Sequence, residues 1–462
     1  MLLRTGKRLK RASSDDDDDD GLPLSDEILL LIFSGFLDTD DDLVRCAATC
    51  RRWRRLVFSE AAFICRSDPG RFVPVGFFHQ GESYGVALPP RFVPLAASRF
   101  PAAADALLAG EPFRSSRLVT SRKGRLVTSR KGRLVLDLGL GRPSLRLAVC
   151  NPTAGDVTVL PALSGRDKPG RYACALLTAG DDNPPSSASL PSSSFRLVIV
   201  YDRRDFTACR SYSSDAGNWG PEGKVSGARV RGNSLAQVHP AAAVVGGAVF
   251  WRVRDAVLRL RVDTLEAAME PLPAEDDWAR RHHKDPGPGR LLAVSPDGRL
   301  CVVETGIRLD AHGYNRWKKN EVAVRVLSRE HSGGGGVVAA SGERWVASRC
   351  GTVQLQAPSL YCNGLTRVCL RGVCEKSGVV FLAAGFEQAV GHREALYALD
   401  VEKMEARLLH GVPDDVIGGW CRLGSRGSLH GYEMDRVAFV TSLGKTDCGK
   451  FNINHVQDVY DF

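Results

Sequence analysis

Apolar positions between Leu22 and Phe63 recur at helical spacing. Ile28, Leu31, Ile32 and Gly35 fall at i, i+3, i+4 and i+7, which predicts a first helix with one face set against something apolar. Ser25 is placed to cap it, with Asp26 and Glu27 in the first turn, where negative charge suits the helix dipole. A second helix is expected to start at Thr39, which with Asp42 fits the capping-box pattern, beside Asp40 and Asp41. Leu43, Ala47, Cys50, Trp53 and Val57 continue it, while Arg45, Arg51, Arg52, Arg54 and Arg55 mostly lie off that stripe. About forty residues are too few to bury a self-sufficient core, so this stretch calls for a partner surface.

From residue 67 the pattern changes to short runs of β-formers. Strands are expected at 145–149, 157–160, 195–201, 207–212, 244–251, 257–262, 291–294, 300–304, 322–327, 379–383 and 395–399. Asn151-Pro152-Thr153-Ala154-Gly155-Asp156 reads as a hairpin turn, and Ser295-Pro296-Asp297-Gly298 and Gly333 to Gly336 as further turns. One unit repeats loosely: a glycine turn, a strand ending in an aromatic, a second strand closing on aspartate, then Leu-Pro. Gly246-Gly247-Ala248-Val249-Phe250-Trp251 leads to Asp263 and Leu272-Pro273, and Gly378-Val379-Val380-Phe381 leads to Asp400. Recurrence of one supersecondary unit predicts radial repetition, a β-propeller, with a pair of β-sandwiches as the alternative.

The helical stretch resembles the F-box, the adaptor-binding module of the SCF ubiquitin ligases. Leucine, acid and isoleucine, a downstream leucine, and Cys50-Arg51-Arg52-Trp53-Arg54 stand in order at family-like spacing. The resemblance implies a Skp-type adaptor as partner and, through it, a cullin and a RING subunit. Leu24, Ile28, Ile32, Leu43, Val44, Cys50 and Trp53 occupy the positions where the family has adaptor-facing or helix-packing apolar side chains. One departure is the opening: Leu22-Pro23 lies two residues early, and Leu24-Ser25 stands in place of the usual Leu-Pro. The β region is similar to the kelch-like or propeller-like part of plant F-box proteins of the grass type. Cys150 to Gly155 matches their hairpin motif, Ser211-Tyr212-Ser213-Ser214 with Trp219 another segment, and Gly76-Phe77-Phe78 the link after the F-box.

The expected architecture is therefore α+β and multidomain. Residues 1–21 form a disordered charged leader, 22–66 a short all-α F-box module, and 67–462 a mainly-β, β-propeller-like domain for substrate recognition. The leader combines Lys7, Arg8, Lys10 and Arg11 with six aspartates, Asp15 to Asp20, a like-charge block that stays solvated.

Composition removes several classes. Hydrophobic residues make up 44% and charged residues 25%, ordinary for a globular chain. No run approaches the roughly 18 apolar residues of a membrane span, and the first residues lack the apolar core of a secretory signal. A cytoplasmic or nuclear location is expected, with reduced thiols: the 13 cysteines contain no CxxC and no dense regular spacing. No metal site or cofactor is expected. His282-His283 sits in a charged, Pro/Gly-rich stretch that reads as solvated loop.

The net charge of +9 and the perfect duplication of Arg117–Gly124 as Arg125–Gly132 raise nucleic acid as a partner, with eight basic residues and no acid from Arg114 to Arg133. No aromatic interleaves them for base stacking, and a duplicated surface loop explains them more simply. No phosphate-binding loop, HExxH, GxSxG or kinase catalytic loop is present, so no catalytic residue is assigned. The reading that results is a non-catalytic substrate receptor of an SCF ligase. The alternative is a ligase-independent module whose β-domain binds a glycan or another ligand.

Overall fold

The computed structural model describes residues 24–445 apart from 37–39, 66–71, 81, 84–85, 88–89, 96–124, 139–142, 153–155, 179–180, 182–193, 236–237, 274–275, 279–288, 296, 308–319, 331–343, 360–361, 389–391, 411 and 413–427. The chain divides into two compact units, one made of residues 1–71 with 436–462 and the other of residues 72–435. The charged leader, the Leu22-Pro23 pair, Thr39, the first copy of the duplication, His282-His283 and the Gly333–Gly336 turn fall outside the described residues.

The first unit is helical: α1 (Asp26–Phe36), α2 (Asp40–Thr49), α3 (Arg51–Ser59), the single turn α4 (Ala61–Ile64) and α5 (Arg436–Lys445). The expected second helix is in fact two. The chain breaks at Cys50, whose backbone is extended, and the Cys50 Sγ accepts a hydrogen bond from the Trp53 N–H at 3.4 Å. A cysteine thus fills the N-cap role that Ser or Asp usually takes. The core of the unit joins Leu29 and Phe33 of α1, Leu43 and Ala47 of α2, Leu56 and Val57 of α3, Ala61 and Ile64 of α4, and Val437 and Val440 of α5. Assigning all residues after 66 to the β-domain needs this correction: 436–445 are helical and pack with the N-terminal helices.

The second unit is a six-bladed β-propeller. Blade one joins Phe72–Gln80 and Arg91–Pro94 to Ser428–Asp435 from the other end of the chain. Blades two to six follow in order, each with at least four strands: they start at Arg125–Arg130, Tyr172–Thr178, Val238–Val245, Arg290–Val294 and Cys362–Val373. Those five strands and Ser428–Asp435 touch one another around the ring, so they are the innermost. The run 244–251, read as one strand, is a hairpin: Gly246 and Gly247 both have positive φ and turn Val238–Val245 back onto Ala248–Val253. The Asn151–Asp156 hairpin forms, with those two residues paired in register.

Six apolar clusters sit at the six interfaces between neighbouring blades. Side chains alternate across a strand, so an adjacent pair of large residues serves two interfaces at once. Phe77 packs on Phe381 of blade six while its neighbour Phe78 packs with Leu126 and Leu134 of blade two. Trp251 faces blade three, donating its Nε1–H to the Cys174 carbonyl at 3.1 Å, and Phe250 faces blade five. The recurrent aromatic ending of a strand therefore marks the blade contacts. Gly76 is required beside Phe77, because a Cβ there would lie 2.4 Å from both the Phe92 ring and the Val93 carbonyl. Trp251→Ala should cost about 3–5 kcal/mol of β-unit stability through the cavity it leaves, measured by denaturant unfolding of the full chain.

Candidate functional site

Each unit presents one arrangement of side chains with a chemical consequence. In the helical unit, the Cys-Arg-Arg-Trp-Arg run is an assembly device. Arg52 bonds Asp26 at 2.9 Å and also donates to the Leu24 carbonyl, fastening the start of α1 to α3. Trp53 meets Phe33 edge to face, ring centroids 5.2 Å apart, and Arg54 donates to the Ala47 carbonyl at 3.1 Å. The Glu27 carboxyl at the start of α1 is held below its usual range by its own backbone N–H and then by Ser25.

This clamping turns α1 so that Leu29 and Phe33 point inward and the stripe read from the sequence points outward. Ile28 is 46% exposed and Leu31 56%, Leu24 and Ile32 are half-buried, and Gly35 has open space around it. A helix that is apolar on all sides has two surfaces to cover, and this unit covers one. The other site residues expected from sequence lie elsewhere. Leu43 is only 1% exposed and belongs to the core, Cys50 caps α3, and Trp53 is half-buried against Phe33. These three take the packing role of the two that the resemblance allowed, because the break at Cys50 folds α3 back onto α1. The Val44 side chain is outside the described residues. Leu31 was legible in the spacing, although it was not among the assigned contacts.

In the β unit, the second copy of the duplication is structural. Arg125–Arg130 is the innermost strand of blade two, and Lys131-Gly132, both at positive φ, form its hairpin turn. Arg130 is buried and forks between two carboxylates, Asp181 beyond the first strand of blade three and Glu375 in a turn of blade six, each approached to 2.5 Å. Lys131 pairs with Asp181 at 2.8 Å. These bonds draw Asp181 far below the carboxylate range against the opposing effect of burial. Arg130 and Lys131 are thus neutralised by carboxylates of the chain itself.

Beside it, Glu433 of blade one accepts hydrogen bonds from the Lys376 and Ser377 N–H groups at 2.8 and 2.6 Å. Burial pushes its carboxyl up to about 7, against those two donors.

A cavity of about 330 Å³ opens between blades five and six. Val303, Val326 and Val380 line it, with Arg299, Asp297, Arg349 and Glu402 also at its wall. Cys301 borders it too, but burial pushes that thiol up to about 12, so it stays protonated and is no nucleophile at neutral pH. Among the described residues no group of three or more His, Cys, Asp or Glu is placed to hold a metal ion. No helix there is long and apolar enough to cross a membrane.

Comparison with known proteins adds two family matches. An F-box-like model matches residues 22–65, the stretch that carries α1 to α4. A second model, described as a domain of unknown function, DUF7595, matches residues 111–391, more than half of the chain. The chain belongs to the DUF7595 family. In this member the family region begins before blade two and ends within blade six, so blade one and α5 lie outside it. No curated protein matches the chain.

Solved structures similar to it include the hydrazine synthase of Kuenenia stuttgartiensis, at 10% identity over 63% of this chain and 68% of that one, TM-score 0.28. The Cps50 (Swd1) β-propeller domain of Myceliophteria thermophila is 13% identical over 64% and 89%, TM-score 0.28. A functionally unknown protein of Desulfotomaculum acetoxidans is 10% identical over 69% and 92%, TM-score 0.27. The blade count of this DUF7595 protein comes from its own strand pairing.

Two outcomes are expected at the ring's centre. Arg130→Met leaves the buried Glu375 without its cation and Asp181 with Lys131 alone, and should cost about 3–5 kcal/mol in denaturant unfolding. Glu433 has a folded pKa raised from 4.5 to about 7, so its ionisation is resisted by the fold. Stability should therefore fall as pH rises through that window and level off above it. Glu433→Gln keeps an oxygen for both N–H groups and should flatten this slope in thermal melts between pH 5 and 8.

Proposed function

We propose that this protein is a non-catalytic substrate receptor of an SCF-type ubiquitin ligase. The helical unit holds a Skp-type adaptor, and through it a cullin and a RING subunit, while the propeller holds a target protein. The observation that supports this most is the outward stripe of α1, where Ile28 and Leu31 are exposed and the half-buried Leu24 and Ile32 flank them at the edge of the core. F-box domains generally bind Skp-type adaptors, and the F-box-like match covers this stripe.

Within that reading the assigned contacts divide into two groups. Leu24, Ile28 and Ile32, joined by Leu31, touch the adaptor. Leu43, Cys50 and Trp53 set the angle at which α1 is presented. A receptor of this kind needs no nucleophile. Ubiquitin is carried as a thioester on the conjugating enzyme, and the receptor contributes proximity, which makes transfer to a target lysine effectively unimolecular. A cytoplasmic or nuclear setting, read from the sequence composition, and a plant origin of the grass type, read from the resemblance, accompany this reading.

The test is titration of the full chain with a purified Skp-type adaptor. Ile28→Asp combined with Leu31→Asp should weaken binding by about 2 kcal/mol or more, as expected when central anchors of an interface are lost. The thermal midpoint should fall far less than for a core substitution, since both side chains are about half exposed. Absence of adaptor binding by the folded wild-type chain would remove the receptor reading.

A further inference from the structure

We infer that α5 is an integral part of the module that presents the α1 stripe, so that the module is complete only in a chain whose C-terminal segment has folded. The inference builds on the adaptor reading for its functional consequence and on packing alone for its physical content. The F-box-like match ends at residue 65 and does not include this helix.

Packing comes first. Val440 is 1% exposed and Val437 9%, and both belong to the same apolar cluster as Leu29, Phe33, Leu56 and Val57. Phe439 packs against that cluster as well. α5 lies against α2, α3 and α4, whereas α1 rests on α3 and α4. Its effect on α1 is therefore indirect: α5 supports the helices that support the stripe, which makes Val437 and Val440 positioning residues.

Size is the second argument. The N-terminal helices amount to about forty residues, near the lower limit at which a chain buries enough surface to fold alone. Neither side can stand in for the other, because a helix as short as α5, with 10 residues, is marginal in water without tertiary packing.

Connectivity supplies the consequence. Ser428–Asp435 is the strand that closes the propeller, and α5 begins at the very next residue, Arg436. One C-terminal segment thus closes the ring and then completes the helical core. The helices that bear the stripe are synthesised first, but their support arrives last, after every blade. A chain that stops short of Arg436 would display the F-box-like sequence without the finished module. Only a receptor synthesised through α5 would then be recruited to a ligase.

Hydrogen exchange on the full chain tests this, comparing wild type, Val440→Asp and Val440→Ile. With the carboxylate in the core, amides of residues 26–65 should exchange at least tenfold faster, while those of 195–213 in blade three stay unchanged. The isoleucine variant, which keeps the apolar contact, should match wild type. Adaptor affinity should fall tenfold or more in the aspartate variant and be retained in the isoleucine variant. Unchanged exchange across residues 26–65 in Val440→Asp would overturn the inference. Should aspartate also disturb blade three, Val440→Ala is read the same way, with a several-fold increase expected and no increase again overturning it. A wild-type chain that binds no adaptor would defeat the receptor reading, and the exchange comparison would still decide the role of α5.

Discussion

The pairing of Ser428–Asp435 with Phe72–Gln80 is the constraint on which the β unit depends. An open ring of blades would leave strand edges and two interfaces of large apolar side chains in water. Here the two ends of the β region meet in one sheet, from Phe72 opposite Asp435 to Gln80 opposite Ser428. The closing strand is also hooked to both neighbouring blades. Tyr432 donates its hydroxyl to the Gly132 carbonyl at the hairpin turn of blade two, and Glu433 accepts from backbone N–H groups in a turn of blade six. Its neighbour in the sheet sends Phe77 and Phe78 to opposite sides. One strand pair thereby holds three blades together, and non-local pairing of this kind forms only after the intervening chain is made.

Around the axis, burial decides what charge does. A chain with a net charge of +9 and a duplicated Arg-Lys-Gly segment invites a surface-electrostatic explanation. In the folded protein, the second copy of that segment spends Arg130 and Lys131 on Asp181 and Glu375, inside the ring. Those ions tie blades two, three and six, which are distant in sequence. Their value is specificity of arrangement as much as stability, since desolvation offsets much of the attraction between buried ions. This cluster of two cations and two carboxylates is electrically balanced, so it adds nothing to the net charge that a partner would meet.

The helical unit follows a different rule. Arg52, Arg54 and Trp53 act inward, on Asp26, on the carbonyls of Leu24 and Ala47, and on Phe33. Beyond the acidic first turn, α1 keeps Ile28 and Leu31 exposed, the surface on which the proposed adaptor contact rests. The clamped geometry gives that surface a fixed direction, so under the adaptor reading the face is preorganised and need not be ordered on binding.

Much of this was legible along the chain. Spacing located α1, the change to strand texture, the hairpin at Asn151–Asp156 and the radial repeat, because local propensity and period are properties of neighbouring residues. The same spacing picked out Ile28, Leu31 and Ile32 as a face. It did not reveal that Leu29 and Phe33 form the inward face, since the unbroken apolar run Ile28–Phe33 has no polar side to set its rotation. Nor did it show the break at Cys50, where a thiol acts as cap, or the turn at Gly246-Gly247 within an apolar run. The strand and helix at 428–445 were beyond it as well. Their partners, Phe72–Gln80 and the helices of residues 26–65, lie at the other end of the chain, and contacts between such distant residues exist only once the ring has closed.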